Sequence, residues 1–214
     1  MTKWTTKDLF ALQALSPLVR AYVPWTEWSL RPSVIVTILN HLATRPAPQV
    51  LECGGGSSTY FLAAFLAERE GRLRTVESDP AMATQLDRDI RQRFPHLDLE
   101  IVTAAVQPRA GPLGPSRWYD DTALETVVEG PPLDALVVDG PPAGDVERAV
   151  RHPALGVFAN RIGDTSVVVL DDVDRAGEQE VLSLWQAECP QLTWRVIDGF
   201  YAIGQRPDTW LLHL

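Results

Sequence analysis

The sequence is poor in cysteine, poor in basic residues relative to acidic ones, and free of long apolar runs, and each shortage closes off a class of protein. Its two cysteines, Cys53 and Cys189, cannot build a disulfide framework and lack the spacing of a zinc site. Cys53 stands at the end of an apolar run and reads as a small buried filler rather than a reactive thiol. The 19 Lys and Arg are outnumbered by 28 Asp and Glu, which leaves a net charge of −9. A sequence-independent nucleic-acid binder needs the opposite balance to displace counterions, so no nucleic-acid partner is expected. No stretch is apolar for long enough to span a bilayer, so no membrane partner is expected either. The N-terminus lacks the apolar core and small-residue cleavage site of a secretory signal, which predicts a cytoplasmic location. There is no internal repeat, low-complexity tract or linker-like stretch.

What is present is enough chain, 214 residues, for one domain with a sizeable core and a short appendage. Residues 6–22 have apolar positions at helical spacing, interrupted by Pro17, with Thr6 or Asp8 able to cap the start. An ordered loop follows, carrying Trp25 and Trp28, and then a helix over 33–42. From residue 49 the chain alternates. Strands are predicted at 49–53, 73–77, 97–103, 135–139 and 166–170, and helices at 58–69, 80–93 and 178–188. Residues 107–118, rich in Pro and Gly, read as a loop, and 145–158 as partly helical, broken at Pro153. Runs at 193–197 and 200–204 flank Asp198-Gly199, a two-residue hairpin signal. Continuous valine-rich strands between amphipathic helices predict a Rossmann-like, doubly wound, mostly parallel α/β sheet with a C-terminal antiparallel hairpin. Residues 1–48 are expected to form a helical appendage or lid, and 49–214 the main domain.

The first strand runs into Glu52-Cys-Gly-Gly-Gly-Ser-Ser-Thr and then a helix. Consecutive glycines permit positive φ and let a ligand approach the backbone, and the helix that follows turns its free N–H groups toward that loop. In such sheets ligands bind beyond the carboxyl ends of the strands, near the switch point. The second strand ends at Glu77, about 20 residues on, where an acidic residue holds a ribose diol. Glu77 is therefore a candidate nucleoside ligand, with solvated strand-end carboxylate as its plainer reading. A dinucleotide fingerprint starting at Gly54 would need glycine at 59, where Thr59 stands. With no obvious Tyr-x-x-x-Lys pair, this disfavours a nicotinamide-dependent oxidoreductase. Glu52 would sit poorly beside a pyrophosphate and well beside an ammonium group.

These residues, Val50-Leu-Glu-Cys-Gly-Gly-Gly-Ser-Ser-Thr and Thr75-Val-Glu-Ser-Asp-Pro, resemble the first two motifs of class I S-adenosylmethionine-dependent methyltransferases. The resemblance implies that Gly54, Gly55 and Gly56, with Ser57 and Ser58, approach S-adenosylmethionine. It also implies that Glu52 faces the methionine end, and that Glu77, beside Ser78, binds the ribose. The acidic residue often used near the adenine is missing from Thr103-Ala-Ala-Val.

Two later strands end in carboxylates, at Asp139 and at Asp171-Asp172. A parallel sheet brings these to the edge that carries the glycine loop. Three carboxylates there need a compensating charge, and a divalent cation such as Mg2+ is one that could also lower the pKa of a hydroxyl nucleophile. The spacing resembles the metal-dependent O-methyltransferases of catechol and macrolide-sugar type, which implies a metal on Asp139, Asp171 and Asp172. The Lys or His those enzymes carry just after the first Asp is replaced by Gly140-Pro-Pro-Ala, so a base, if one exists, must come from elsewhere, with His152 and Arg175 as nearby polar candidates; Asp139 and His152 are the candidate catalytic residues. The competing reading is that Asp171 and Asp172 cap the next helix or pair with Arg175. The Asp139-Gly-Pro-Pro stretch, Pro24-Trp-Thr and Trp118-Tyr119 also resemble a group of bacterial methyltransferase-like proteins. The expected function is methyl transfer to a small hydroxylated acceptor under a lid with Trp25 and Trp28 on its inner wall. A cofactor-binding regulator without transfer is the alternative from another class. Self-association is compatible with all of this.

Overall fold

The computed structural model describes residues 4–144 and 148–207. Two helices come first, α1 (Thr6–Leu15) and α2 (Pro32–Leu42). Thr5, rather than Thr6, caps α1, in a capping box closed by Asp8, and the helix ends before Ser16-Pro17. The alternating part runs β1 (Gln49–Cys53), α3 (Ser57–Ala67), β2 (Arg72–Glu77), α4 (Pro80–Arg93) and β3 (Asp98–Thr103). Asp79 accepts hydrogen bonds from the Ala81 and Met82 N–H groups and Pro80 opens the helix, so α4 starts directly off the end of β2.

Next come β4 (Val106–Gly111), β5 (Gly114–Tyr119) and α5 (Asp121–Val128). The Pro- and Gly-rich stretch expected as a loop is thus a separate two-stranded antiparallel ribbon. Only two strands pair there, so Pro108 and Pro115 are tolerated on edges. The chain continues through β6 (Leu133–Val138), α6 (Pro153–Val157), β7 (Ile162–Leu170), α7 (Ala176–Glu188), β8 (Thr193–Ile197) and β9 (Tyr201–Gln205). Pro153 opens α6 instead of breaking it, and residues 145–147 of the expected partly helical stretch lie outside the described residues. Asp198 and Gly199 both have positive φ, at 52° and 79°, as the two-residue hairpin requires.

The main sheet has the order β3-β2-β1-β6-β7-β9-β8, parallel through its first five strands and antiparallel at the hairpin. The strand order reverses between β1 and β6, which is the switch point. Registers Cys53↔Val76, Cys53↔Val138 and Val138↔Leu170 keep the ends of four parallel strands level. Everything functional follows from that levelling. Alternate residues feed two cores: Val50, Leu73, Val137 and Val169 face α2 and α3, while Leu51, Val76, Val138 and Leu170 face Trp118, Phe158 and Trp185. Both faces are covered, so the strands read as continuous apolar runs. Cys53 is fully buried in the second core, as a filler would be.

The N-terminal helices are less of an appendage than expected. Val34, Ile35, Ile38 and Leu42 of α2 are wholly buried in the first core, and α1 is tied to the start of α2 by a buried Asp8–Arg31 ion pair. Trp25 packs edge-on to Trp4 and against Phe61, both centroids at 5.7 Å, so it belongs to this core and not to a cleft.

Trp185 shows how the second core is held: its ring is buried against Trp194 and its Nε1 donates to the His152 carbonyl at 2.8 Å. Trp185→Ala should cost about 3–5 kcal/mol, a large-to-small cavity loss with an orphaned carbonyl added. The denaturation midpoint in urea checks it, and a loss under about 1 kcal/mol would mean the core refills.

Candidate active site

A cavity of about 720 Å³ opens at the carboxyl ends of β1, β2, β6 and β7. Gly54, Gly55, Glu77, Asp79 and Met82 line one half. Trp28, Arg31, Asp139, Asp171, Asp172 and Arg175 line the other, with Phe200 from the hairpin turn.

The glycine loop is fixed from below. Gly54 has φ +92°, and a Cβ there would lie 2.8 Å from the Gly140 nitrogen, so the two backbones pack with nothing between them. A Cβ on Gly55 would meet Leu86 at 2.6 Å, while one on Gly56 would meet nothing within 4 Å. Gly56 therefore faces open space, and the Ser57 hydroxyl beside it is buried without a hydrogen-bond partner.

Glu52 does not line the cavity. It is completely buried under the loop, where it accepts hydrogen bonds from the hydroxyls of Ser58, Thr59 and Thr75. Thr59 in turn accepts from the Gly56 N–H at 2.9 Å, so the carboxylate anchors the loop to α3 and β2. Burial pushes Glu52 up to about 7, helped by nearby Glu77 and opposed by the three hydroxyls. Its expected contact with the methionine end is replaced by this internal role, and Ser58 is drawn into it. Thr59, which argued against a dinucleotide loop, is part of the anchor.

Glu77 is where the sequence placed it. One carboxylate oxygen accepts from the Gly55 N–H at 2.8 Å, the other from the Asp79 N–H at 2.7 Å and the Ser78 hydroxyl at 3.3 Å. The side chain is held by the backbone it serves and opens on the cavity. Ser78 supports Glu77 and does not itself line the cavity. Met82, which sequence reasoning missed, offers an apolar surface on this side.

In the other half, single oxygens of Asp139, Asp171 and Asp172 lie within 4.8 Å of one another. Burial, reinforced by Asp171, pushes Asp139 well above the usual carboxylate range, and burial with Asp172 pushes Asp171 up to about 7. Arg151, which sequence reasoning did not single out, reaches into this group from the segment before α6. It is 2% exposed, and its Nη2 stands 3.1 Å from Asp172 and 3.5 Å from Asp139. Arg175 pairs with Asp172 at 3.0 Å, as the competing reading expected, though Asp172 caps no helix and α7 begins without a side-chain cap.

His152 is not brought to the site. Its Nε2 lies 2.9 Å from Glu188 at the end of α7, and it is absent from the cavity wall. Trp28 does line the cavity, 70% exposed, with the Arg175 guanidinium 5.9 Å above its ring. Arg31 also faces it, 3.8 Å over the Phe200 ring while paired to Asp8.

The family model described as a methyltransferase domain matches residues 51–173, more than half of the chain. No curated protein sequence matches it. Among solved structures, the O-methyltransferase TomG of Streptomyces achromogenes, involved in tomaymycin synthesis and solved with S-adenosylmethionine, is similar with a TM-score of 0.62. Its identity is 18%, over 96% of this chain and 92% of that one. The precorrin-6y C5,15-methyltransferase of Geobacter metallireducens has a TM-score of 0.58 at 14% identity, over 86% and 94% of the two chains. An O-methyltransferase of Bacillus cereus, solved with S-adenosylhomocysteine, has a TM-score of 0.57 at 18% identity, over 96% and 93%. At these identities the likeness is one of fold.

Glu52 yields a pH signature. Its folded pKa of about 7 lies above the ordinary 4.5, so the folded state holds the proton more tightly than the unfolded chain. The associated stability is fully present below the unfolded value and is lost as pH rises through the folded one. Glu52→Gln removes the titration, and the stability difference should move in the variant's favour by up to about 3 kcal/mol between about pH 5 and pH 8. A difference that stays constant with pH, read from urea melts, would show that Glu52 is ionised throughout.

Proposed function

The chain belongs to the methyltransferase-domain family, and within it we propose an S-adenosylmethionine-dependent O-methyltransferase acting on a small hydroxylated acceptor. The observation that carries the reading is one cavity joining the glycine loop and Glu77 to Asp139. Its volume, about 720 Å³, is in the range of small-ligand sites.

The first half fits the cofactor. Gly54 and Gly55 give a backbone wall without side chains, Gly56 faces open space, and the partnerless Ser57 hydroxyl lies at the loop's edge. Glu77, locked by two N–H groups, is preorganised to accept from a ribose diol. Met82 supplies an apolar surface for a base where no acidic residue follows β3. Bound there, S-adenosylmethionine supplies a methyl group activated by the sulfonium.

Asp139 stands at the junction of the two halves and is the best placed proton acceptor. With the cofactor held by the glycine loop and Glu77, the Asp139 carboxylate would take the proton of the acceptor hydroxyl as its oxygen received the methyl group, the carbon–sulfur electron pair remaining with sulfur. Trp28 and Phe200 supply the apolar walls that hold an acceptor's body. A magnesium ion on Asp139, Asp171 and Asp172 would be supported by the closeness of their oxygens, and Arg151 among them speaks against it.

S-adenosylhomocysteine should raise the thermal midpoint, since a ligand bound only to the native state stabilises it by about 2.7 kcal/mol at a hundred times its Kd. Glu77→Ala should weaken binding roughly 10- to 100-fold, the loss of a charge-assisted contact of about 1.5–3 kcal/mol. Unchanged affinity would make Glu77 a bystander. Transfer from labelled cofactor is then followed across phenols, sugars and carboxylic acids. Binding without any transfer would favour a cofactor-binding regulator.

A further inference from the structure

We propose that the Arg151 guanidinium is the resident cation of the acidic half of the cleft, taking the position between Asp139 and Asp172 that a divalent ion would need. The inference rests on the methyl-transfer reading for its function but not for its geometry. Carboxylates crowded at the ends of adjacent strands need positive charge among them. Nη2 of Arg151 spans Asp172 at 3.1 Å and Asp139 at 3.5 Å. Nη1 donates to the Asp171 carbonyl at 3.3 Å, and Nε donates to the Pro141 carbonyl at 3.5 Å while lying 3.8 Å from Glu178. Each guanidinium nitrogen is thus engaged, and Arg151 is 2% exposed. An ion coordinated by Asp139 and Asp172 would have to stand beside this buried positive charge or displace it, and its contacts on five different residues leave it nowhere obvious to go.

The consequence concerns the acceptor. A metal can chelate two acceptor oxygens, which selects vicinal diols. Arg151 turns its donors toward the protein, so nothing here chelates, and one hydroxyl suffices. The acceptor class is therefore monohydroxylated compounds as readily as diols. Arg151 lines the cavity with its donors already spent on the protein, so it acts as a positioning residue that holds Asp139 at the junction with the cofactor half.

The test is divalent-cation binding by the whole protein, which needs no acceptor. Wild type titrated calorimetrically with magnesium, calcium and manganese chlorides, with and without S-adenosylhomocysteine, should give no binding heat at millimolar metal. It should also give no thermal shift beyond that of sodium chloride at equal ionic strength. Arg151→Met vacates the position and should gain calcium or magnesium binding, with the midpoint rising roughly 3–5 °C at about ten times Kd. Arg151→Lys, which keeps a cation, should not. Saturable metal binding by wild type overturns the proposal, as does a folded Arg151→Met that binds none. Should Arg151→Met fail to fold, wild type and Arg151→Lys still decide, since metal binding by either refutes it. In the transfer assay, chelator should leave turnover unchanged, and monohydroxy and vicinal dihydroxy acceptors should have kcat/KM within about tenfold. Loss of turnover in chelator, or turnover of diols alone, also refutes it. No turnover of any acceptor would count against the methyl-transfer reading, and the metal titrations would still stand.

Discussion

A parallel sheet delivers the ends of its strands to one edge, and in this chain those ends carry negative charge. Glu77, Asp139 and Asp171 stand level at the ends of β2, β6 and β7, with Asp172 next to the last, and Glu52 lies within β1 two residues below them. Unscreened charges this close cannot all be buried, so each must be compensated where it stands. The structure uses a different chemistry for each group. Glu52 takes three hydroxyls, Glu77 takes backbone N–H groups, and the aspartates take a buried arginine. The cleft exists because these solutions differ.

The hydroxyl solution makes Glu52 a fastener rather than a ligand, and that sets the loop's shape. With Thr59 bound both to Glu52 and to the Gly56 N–H, the turn into α3 is held from inside, and its outer face is left to glycine backbone. The N–H solution does the reverse for Glu77. Its carboxylate is held at its base but stays on the cavity wall, which is what a ligand-binding side chain needs. Two acidic residues at the ends of adjacent strands thus divide into one that shapes the pocket and one that faces it. The difference lies in which donors are within reach.

This division also explains how far the sequence could be read. Strand–helix alternation was legible because both faces of the sheet are covered, which leaves continuous valine-rich runs. The glycine loop, Glu77 and the three aspartates were legible because level strand ends are implied by parallel pairing alone. Arg151 was not, because nothing local marks it: it lies 12 residues past Asp139, and its partners come from three separated stretches of chain. His152 misled for the opposite reason, being near Asp139 in sequence while its ring turns to Glu188. The ribbon at 106–119 was hidden by its prolines, which are disfavoured in sheets but permitted on two exposed edges. Helix α5 did carry a signal, Asp120 ahead of an apolar-periodic run, that was passed over.

The N-terminal residues are built into the core beside this cleft. Helix α2 is buried in the same core as β1 and α3, and Asp8 binds Arg31 out of solvent. Arg31 then stacks on Phe200, which belongs to the hairpin turn at the far end of the chain. Lys7 reaches Asp198 of the same turn. The first helix and the last hairpin are therefore joined beside the aspartate half of the cavity, and the loop between α1 and α2 is suspended from that join. Trp28, 70% exposed on this loop, is the large side chain it presents to the cavity, with the Arg175 guanidinium, paired to Asp172, over its ring. The short span around Trp28 is thus a part of the cavity wall that is not built into the sheet. The paired strand ends beneath it fix where Glu77 and Asp139 stand.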